Sequence, residues 1–448
     1  MDIKAIILAA GKGTRMKSDL PKVLHKAAGK TMVEWAINSV ALVDNKPTIV
    51  IGYGKDLVIK SLGDRADYAI QDEQKGTGHA VMMAKDNAEG SDYVVITYGD
   101  MVLLKQETVK QLVDYTIDNK LDAAMITAIA KDPTGLGRII NDENGYVAKI
   151  VEHKDASEEQ LKICEINTGV YCYKADRLLD ALDKLDCNNA QSEYYLTDTV
   201  EIINEAGGKI GRITCDEKEA LGTNDKYQLS LSAKELRFRI NKKHMINGVM
   251  LIDPENTYID ADVKIGNDTT IYPGCVIEGD TKIGSGCIIY GSTNIKDSHI
   301  LDNVSIKSSN IIESSIDSGT TIGPNAYLRL NSKIGKGCKI GDFVEIKNSV
   351  IGDGTKISHL VYAGDADVGK NVNLGCGVVV VNYDGKNKHR TVVEDNAFVG
   401  CNTNLVSPVK VGEGAYTAAG STITENVPSN ALGIARSRQI NKENWKKP

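Results

Sequence analysis

The chain has 448 residues, which is too long for one compact core and favours two or three domains. Hydrophobic residues make up 42% and charged residues 25%, as in ordinary soluble globular proteins. The net charge of −7 does not favour binding to nucleic acid or to an anionic membrane. The first apolar run is too short for a secretion signal and no stretch is long enough to span a bilayer, so we expect a cytoplasmic protein.

The nine cysteines also indicate the cellular compartment of the protein. They are scattered without a CxxC pair, and their number is odd. A disulfide framework or a zinc site would require paired spacings. The pattern therefore predicts free thiols in a reducing cytoplasm.

Up to about residue 228, short aliphatic segments alternate with amphipathic ones. Segments 5–10, 48–52, 93–97 and 123–130 are typical of buried strands, and segment 31–43 is typical of a helix. Alternation of this kind predicts a mostly parallel sheet with helices on both faces. We take residues 1–228 as the first domain.

A glycine-rich loop follows the first predicted strand. It contains Gly11, Gly13 and Arg15, and Lys22 lies shortly after it. The loop is not a Walker A motif, and Met16 stands where GxGxxG requires its third glycine. A bare GxG more often marks a tight turn, but two cations beside the loop indicate an anion site.

Asp100 follows the strand at 93–97, at the edge where parallel sheets bind ligands. A carboxylate there suits Mg²⁺ beside phosphate groups, although an isolated aspartate at a strand end is more often a helix cap. Gln71 and Thr77 follow another predicted strand and carry groups that can read a base edge. His79 alone is more typical of a packed structural histidine.

Residues 229–250 contain a charged segment that predicts an exposed linking helix. From residue 251 the apolar period changes to six, which fits neither a helix nor a flat strand and predicts a parallel β-helix. The ladder is complete from Ile265 to Ile295, and the sequence predicts that it resumes at Ile316 and again at Val393. We take residues 251–448 as the second domain.

The ladder is interrupted between Ile346 and Val393, where residues 382–391 form a polar insertion. Insertions in solenoids often form the binding face. An isolated histidine such as His359 is more often structural, but polar residues at coil-like offsets surround it in the sequence. These residues are Arg329, Lys347, Tyr362, Asn373, Asn382 and Tyr383.

Several strings together carry a family resemblance. They are LAAGKGTRM, LPKVLH (20–25), QKGTGHA (74–80), YGD (98–100), GLGRI (135–139), VEHKDA (151–156), EINTG (165–169), GTND (222–225) and KISHLVYAGDADVGKNVNLG. With the six-residue repeats, the chain resembles the family of bifunctional N-acetylglucosamine-1-phosphate uridyltransferases/glucosamine-1-phosphate acetyltransferases. The resemblance implies a Rossmann-like nucleotidyltransferase domain, a left-handed parallel β-helix of hexapeptide repeats, and a homotrimer that shares its acetyl-transfer sites.

For the first domain, the resemblance implies that Mg²⁺ is bound by Asp100 and Asn224. It implies UTP contacts from Leu8, Ala9, Gly11, Lys12, Gly13, Arg15, Lys22, Gln71, Gly76 and Thr77. The N-acetylglucosamine 1-phosphate would contact Gly137, Glu152, Asn167 and Asn224. Met101-Val102 departs from the family pattern, which usually has a proline close by.

For the second domain, the resemblance implies that His359 is the general base, and Glu345 is a candidate to orient it. Glucosamine 1-phosphate would contact Arg329, Lys347, Tyr362 and Asn373. Acetyl-CoA would contact Cys376, Asn382, Tyr383, Cys401, Ala419 and Arg436. Leu330 and Cys401 depart from the proline and the serine that are usual at these positions.

Two alternatives stay open at this stage. The β-helix could serve only for oligomerisation and regulation beside a single nucleotidyltransferase site, or the whole chain could be a non-catalytic assembly protein. The basic tail is a solvated end or a contact for an anionic ligand. Its cations are Arg436, Arg438, Lys442, Lys446 and Lys447.

Overall fold

The computed structural model describes residues 1–189 and 191–445. The chain divides into two compact units, Met1–Leu236 and Arg237 onward. Lys446 and Lys447 of the basic tail lie outside the described residues. No helix in the described part of the chain is long and apolar enough to cross a membrane.

The described α-helices lie mainly in the first unit. They are α1 (Met32–Val40), α2 (Lys55–Leu62), α3 (Thr77–Met82), α4 (Lys85–Ala88), α5 (Gln106–Asp118), α6 (Ala175–Leu182), α7 (Asp198–Glu205), α8 (Glu217–Ala220) and α9 (Lys226–Ile246). Short 3-10 turns occur at Thr14–Met16, Lys22–Leu24, Gly63–Arg65, Gln160–Lys162 and Pro254–Asn256. Helix α1 begins at a capping box, in which Thr31 and Glu34 satisfy each other's backbone N–H groups.

The first unit is built on a nine-stranded mixed sheet. Its strands and one small separate hairpin are β1 (Ile3–Leu8), β2 (Lys26–Ala27), β3 (Lys30–Thr31), β4 (Thr48–Ile51), β5 (Asp67–Ile70), β6 (Tyr93–Tyr98), β7 (Ala123–Ile129), β8 (Arg138–Asn141), β9 (Val147–Val151), β10 (Glu165–Lys174) and β11 (Ile210–Cys215). The order is β11-β7-β10-β6-β1-β4-β5, with β8 and β9 attached beside β10. Only β10 runs antiparallel along this path.

Strand β1 lies at the centre because it is apolar on both sides. It pairs in parallel with β4 and β6, and residues 5–8 are buried. The parallel strands β1, β4, β5 and β6 therefore all end at one edge of the sheet. Backbone bonds tie the chain together just beyond it: Gly99 N–H donates to Leu8 O at 2.9 Å, and Gln71 N–H donates to Ile51 O at 2.8 Å.

The second unit is a parallel β-helix with three sheets. The first face contains Met250–Leu251, Thr270–Ile271, Ile288–Ile289, Ser305–Ile306, Thr321–Ile322, Lys339–Asp342, Lys356–His359, Asn373–Leu374, Phe398–Val399, Tyr416–Thr417 and Leu432–Gly433. The second face contains Tyr258–Ile259, Val276–Glu278, Asn294–Lys296, Asn310–Ile312, Tyr327–Arg329, Glu345–Lys347, Tyr362–Gly364, Val379–Val381, Asn404–Val406 and Thr422–Ile423. The third face contains Lys264–Ile265, Lys282–Ile283, His299–Ile300, Ser315–Ile316, Lys333–Ile334, Val350–Ile351, Ala366–Val368, Thr391–Val393 and Lys410–Val411.

The apolar ladder is the core of this unit, as the period of six predicted. The predicted pause between Ile295 and Ile316 is wrong. Ile300, Ile306 and Ile311 continue the ladder through it, because this part of the coil is shortened to steps of five or six residues. A true insertion follows Leu374, which pairs with Val399, 25 residues further along the chain.

The linking helix is less exposed than the sequence suggested. Leu236, Asn241 and His244 of α9 are buried. The Asn241 side chain donates hydrogen bonds to the carbonyl oxygens of Pro254 at 2.7 Å and Thr257 at 2.9 Å. These contacts cover backbone acceptors at the first turns of the β-helix, so α9 is part of the folded structure around it.

Candidate active sites

The glycine-rich loop lies at the carboxyl end of β1. Gly13 adopts a φ of 63°, and a Cβ at this position would overlap the Cβ of Lys22. Gly11 differs, because it is exposed and a Cβ would meet no atom within 4 Å. Gly13 is therefore required for the close approach of Lys22, whereas Gly11 leaves its backbone open to an incoming anion.

Four predicted residues of this site meet in one network of hydrogen bonds and ion pairs. The Lys22 ammonium forms an ion pair with Asp100 and donates to Asn224 Oδ1 at 2.8 Å. Arg15 Nη2 donates to the same oxygen, also at 2.8 Å. The backbone N–H of Thr223 donates to Asp100 O at 3.0 Å, which holds the loop at 222–225 beside the end of β6.

This arrangement fits a magnesium ion. A carboxylate and an amide oxygen already converge on the Lys22 ammonium, so the site presents oxygen ligands to a cation. In the described residues no cluster of three His, Cys, Asp or Glu side chains has the geometry to hold a metal. Mg²⁺ commonly accepts so few protein ligands, because water and substrate phosphates complete its shell. Met101 and Val102, the departure from the family pattern, are buried in the core.

Gln71 and Thr77 both follow β5, Gln71 directly after the strand and Thr77 at the start of α3. The Gln71 amide is buried, donates to Gly76 O at 3.2 Å and lies 3.0 Å from His79 Nδ1. Thr77 Oγ1 accepts a hydrogen bond from Leu196 N–H at 3.0 Å. His79 therefore has a partner in Gln71, a relationship that the sequence did not show.

Three of the four predicted sugar contacts lie together at β10, whereas the fourth, Asn224, lies with Lys22 and Arg15. A Cβ on Gly137 would lie 3.5 Å from Glu152 Oε1 and 3.6 Å from the Cβ of Asn167. The Asn167 amide donates to the Tyr171 hydroxyl at 2.7 Å, so its orientation is fixed. Burial raises the pKa of Glu152. A half-buried acceptor beside a glycine backbone is suited to hydrogen bonding with sugar hydroxyls.

Tyr98, the first residue of the YGD motif, is a further residue of this site that the sequence alone did not indicate. Burial raises its pKa, and the charges of Glu152 and Asp100 raise it further. Gly169, with a φ of 83°, leaves room for the Tyr98 ring, which a Cβ would overlap. The Tyr98 ring therefore packs directly against the backbone of Gly169 in β10.

In the second unit, His359 lies on the first face with Asp342 one coil before it. The two residues are in register, and Asp342 Oδ1 is 2.5 Å from His359 Nδ1. Glu345, the residue expected to orient the histidine, instead accepts from Arg329 at 2.9 and 2.6 Å. Within this chain the carboxylate that faces His359 is therefore Asp342, and Glu345 lies on a strand of the second face.

Arg329 precedes an unusual turn. Leu330 adopts a φ of 52°, which proline cannot adopt because its ring fixes φ near −65°. The departure at this position therefore changes the backbone of the turn. Tyr362 follows Glu345 in register on the second face, one coil further along.

A group of charged residues lies next to these strands. Lys347 is buried, with its ammonium 3.6 Å from Asp365 Oδ2. Although burial acts in the opposite direction, hydrogen bonds from Asn348 at 2.6 Å and Asn382 at 2.5 Å lower the pKa of Asp365. The carboxylate thus anchors the start of the 382–391 insertion to the coil.

Lys388, in that insertion, was not singled out by the sequence analysis. The neighbouring Lys347 ammonium lowers the pKa of Lys388, and the Asp365 carboxylate acts in the opposite direction. Lys388 therefore lies near Lys347, whose ammonium is paired with Asp365. The position of Lys388 could not be predicted from the six-residue spacing of the ladder. The insertion folds back on itself, with an antiparallel bridge between Tyr383 and Lys388.

The predicted acetyl-CoA contacts follow His359 along the same face. Gly377 N–H, next to Cys376, donates to His359 O at 3.4 Å, Asn402 N–H donates to Cys376 O at 2.8 Å, and Gly420 N–H donates to Cys401 O at 2.8 Å. His359, Cys376, Cys401 and Ala419 thus occupy successive coils. Asn373, which was expected to contact glucosamine 1-phosphate, lies on the same face, on the strand after that of His359. Two further predicted acetyl-CoA contacts lie elsewhere: Tyr383 is exposed in the insertion, and Arg436 is in the tail, with its Cδ 3.7 Å from where a Cβ on Gly420 would lie.

Comparison with known proteins gives the family. Residues 5–193 match the model of the MobA-like NTP transferase domain, and residues 262–297 and 390–425 match that of the bacterial transferase hexapeptide (six repeats). Bifunctional protein GlmU of Clostridium novyi (strain NT) is 54% identical over 98% of this chain and 97% of its own length. The chain belongs to the GlmU family. GlmU proteins of Acetivibrio thermocellus and Clostridioides difficile (strain 630) are 54% and 53% identical, each over 99% of this chain and 97% of their own length.

Membership of the GlmU family confirms two predictions. The fold is a nucleotidyltransferase domain followed by a left-handed parallel β-helix of hexapeptide repeats. The protein is a bifunctional enzyme in which a uridylyltransferase is joined to an acetyltransferase. The segment between the two hexapeptide matches, residues 298–389, contains the irregular coils with His359 and Lys388.

Proposed function

We propose that residues 251–448 transfer an acetyl group from acetyl-CoA to glucosamine 1-phosphate. Residues 1–228 then transfer UMP from UTP to the resulting N-acetylglucosamine 1-phosphate and release pyrophosphate, and residues 229–250 link the two domains. The observation that carries the proposal is the presence of two separate reactive centres. One consists of Lys22, Asp100 and Asn224, and the other of Asp342 and His359.

In the acetyl-transfer site, His359 is the general base. Its Nδ1 faces the Asp342 carboxylate, which leaves Nε2 free to accept a proton from the 2-amino group of the sugar. The amine nitrogen attacks the thioester carbonyl, the C–S bond breaks and CoA leaves. Asp342 stabilises the imidazolium that forms, as carboxylates do beside catalytic histidines. The side chain of His359 is 59% exposed, so substrate can reach the ring.

The phosphate of glucosamine 1-phosphate binds to the cations around the insertion. Lys347 is paired with Asp365, and Lys388 brings a second cation close to it, so the two lysines together attract an anionic ligand. Arg329 lies on the strand next to that of Glu345 and is paired with this carboxylate. The part of its guanidinium that does not contact Glu345 is available to the phosphate. Charge-assisted hydrogen bonds of this kind are stronger than neutral ones.

In the uridylyl-transfer site, a phosphate oxygen of the sugar phosphate attacks the α-phosphorus of UTP, and the bond to pyrophosphate breaks. Lys22, Arg15 and the open backbone at Gly11 stabilise the charge that the phosphates carry. Asp100 and Asn224 would hold Mg²⁺, which neutralises charge on phosphate oxygens when bound. Glu152 and Asn167 position the sugar hydroxyls beside Gly137.

We further propose that the enzyme is a cytoplasmic homotrimer with acetyl-transfer sites completed by a neighbouring subunit. A β-helix offers flat faces that pack around a threefold axis. On the first face, Phe398 and Tyr416 stack at 5.3 Å between ring centroids while 40% and 53% exposed. Nine free cysteines suit a reducing compartment.

A pair of variants tests the assignment of the two centres. The purified chain should release CoA when given glucosamine 1-phosphate and acetyl-CoA, and should form a UDP-sugar when UTP and Mg²⁺ are added. His359→Ala should lose CoA release and keep uridylyl transfer to N-acetylglucosamine 1-phosphate, and Asp100→Ala should do the reverse. If His359→Ala released CoA at the wild-type rate, His359 would not be the general base. A wild-type chain that releases no CoA would favour the β-helix as a scaffold only.

A further inference from the structure

Two thiols occupy successive coils on the first face of the β-helix. Leu374 pairs with Val399 in register, so Cys376 and Cys401, each two residues later, lie above one another. Asn402 N–H donates to Cys376 O at 2.8 Å, and a Cβ on Gly375 would lie 3.0 Å from the Cα of Cys401. The backbones of the two cysteine-bearing turns are therefore in direct contact.

The spacing of the two turns suits a disulfide. Neighbouring parallel strands lie about 4.8 Å apart. Disulfides join Cα atoms that are roughly 4.4–6.8 Å apart, so the register brings the two cysteines within this range. Both are free thiols in the structure.

Exposure distinguishes this pair from the other cysteines of the β-helix. Cys401 is exposed and Cys376 is half-buried, whereas Cys275, Cys287 and Cys338 are buried in the core. Burial raises the pKa of each of these three core thiols, and that of Cys275 to about 11. The core thiols are therefore poor nucleophiles, and Cys376 and Cys401 are the accessible ones.

The position of the pair connects it to acetyl transfer. His359 lies one coil before Cys376, and Ala419 lies one coil after Cys401. If the thioester approaches His359 along this face, as the proposed function requires, its path passes over both thiols. A covalent bridge between them would alter the surface that the coenzyme must contact.

We propose that Cys376 and Cys401 form a reversible disulfide that turns off acetyl transfer, an inference that rests on the proposed function for its effect on activity. The oxidant is a low-molecular-mass disulfide, RSSR. One cysteine thiolate attacks RSSR and releases one RSH after protonation. The second thiolate then attacks the mixed disulfide and releases the second RSH, so that two protein thiols and RSSR give one protein disulfide and two RSH. Uridylyl transfer, carried out by the other unit, stays unchanged.

The test uses the full-length enzyme treated with glutathione disulfide. Peptide mapping after alkylation should identify a Cys376–Cys401 cross-link. CoA release should fall at least tenfold, uridylyl transfer should be unchanged, and dithiothreitol should restore CoA release. Cys376→Ser and Cys401→Ser, each compared with its own reduced form, should lose the sensitivity to oxidation. Cys187→Ser, which removes an exposed thiol from the first unit, should keep it.

Three results would overturn the proposal. Both cysteines could remain open to alkylation, either could carry glutathione without a cross-link, or the cross-link could form while CoA release stays at its reduced level. If the reduced enzyme released no CoA at all, the proposed function would fail instead. The peptide map would then still decide whether the disulfide forms.

Discussion

The carboxylate of Asp342 lies 2.5 Å from Nδ1 of His359, although 17 residues separate them in the chain. The two residues are partners in register on one face, where each coil places its strand against that of the coil before. The hydrogen bond from His359 lowers the pKa of Asp342, so the carboxylate remains ionised. An ionised carboxylate fixes the imidazole with Nε2 directed away from the pair.

We predict that Asp342→Asn lowers kcat for acetyl transfer by about tenfold and that Asp342→Ala lowers it by about a hundredfold. Asparagine keeps an oxygen that can orient the ring but lacks the charge that stabilises imidazolium, and alanine removes both. Because Asp342 acts through His359, KM for both substrates should stay near the wild-type value. Steady-state kinetics with each substrate varied in turn would measure this, with uridylyl transfer as the internal control.

Glu345→Gln is the control for Asp342→Asn. It removes a nearby carboxylate that lies on the second face and does not contact His359 in this chain. Glu345 pairs with Arg329, so its removal should change KM for glucosamine 1-phosphate and leave kcat largely intact. The reverse pattern, with a large loss of kcat in Glu345→Gln and none in Asp342→Asn, would show that Glu345 orients the base in solution.

The sequence indicated Glu345, and not Asp342, as the partner of His359, because it does not show which residues are neighbours on a face of the β-helix. The period of six predicts the β-helix because the core ladder is local in sequence. Neighbours on a face depend instead on the length of each coil. Ile306 pairs with Ile322, Ile340 with Ile357, and Leu374 with Val399, so this length varies along the chain. Asp342, only three residues from Glu345, could therefore not be assigned to His359 by counting.

In the first unit, the sequence predicted which residues meet at the strand ends better than it predicted contacts between distant loops. Parallel strands that end at one edge bring the glycine-rich loop near Asp100, and this follows from alternation of strand and helix. The meeting of Lys22 with Asn224 is different, because 202 residues separate them. Only the family resemblance pointed to Asn224, and nothing in the sequence indicated that Lys22 bridges it to Asp100.

Our second prediction concerns this bridge. Asp100→Asn should raise the Mg²⁺ concentration needed for half-maximal uridylyl transfer by about tenfold or more, because a neutral amide is a weaker ligand than a carboxylate. CoA release should be unaffected. Titration of initial rates with MgCl₂ would measure the change, and Asp72→Asn, which removes an exposed carboxylate paired with Lys55, should leave the Mg²⁺ requirement at the wild-type value. An unchanged requirement in Asp100→Asn would exclude Asp100 as a metal ligand.

Our third prediction concerns Lys388. Lys388→Ala should raise KM for glucosamine 1-phosphate by about tenfold, since a charge-assisted contact to the phosphate is lost, with little change in kcat or in KM for acetyl-CoA. The difference from wild type should shrink at high salt because the lost contact is electrostatic. Lys386→Ala, which removes an exposed cation from the same insertion, should leave KM near the wild-type value. Equal effects of the two variants would mean that the insertion contributes only general positive charge.

The last prediction concerns stability and pH. Burial raises the pKa of Asp198, at the start of α7, to about 6, with further contributions from Glu201, Asp186, Glu152 and Asp155. The folded-state pKa lies above the unfolded value of 3.8, so the folded protein binds more protons between about pH 4 and pH 6. This group therefore contributes stability at low pH that is lost as the pH rises through 6. A shift of about two units corresponds to about 3 kcal/mol, which solvent screening of this partly exposed group reduces to the order of 1 kcal/mol.

Asp198→Asn should accordingly increase the free energy of unfolding of the first unit by about 1 kcal/mol at pH 7.5, and the increase should vanish near pH 4. Urea denaturation followed by the fluorescence of Trp35 would measure it, because Trp35 packs in the first unit, whereas Trp445 is exposed. Glu205→Gln, at the end of the same helix, gives the baseline for loss of an exposed carboxylate. A gain for Asp198→Asn that is the same at pH 4 and pH 7.5 would show that ionisation of Asp198 does not oppose folding.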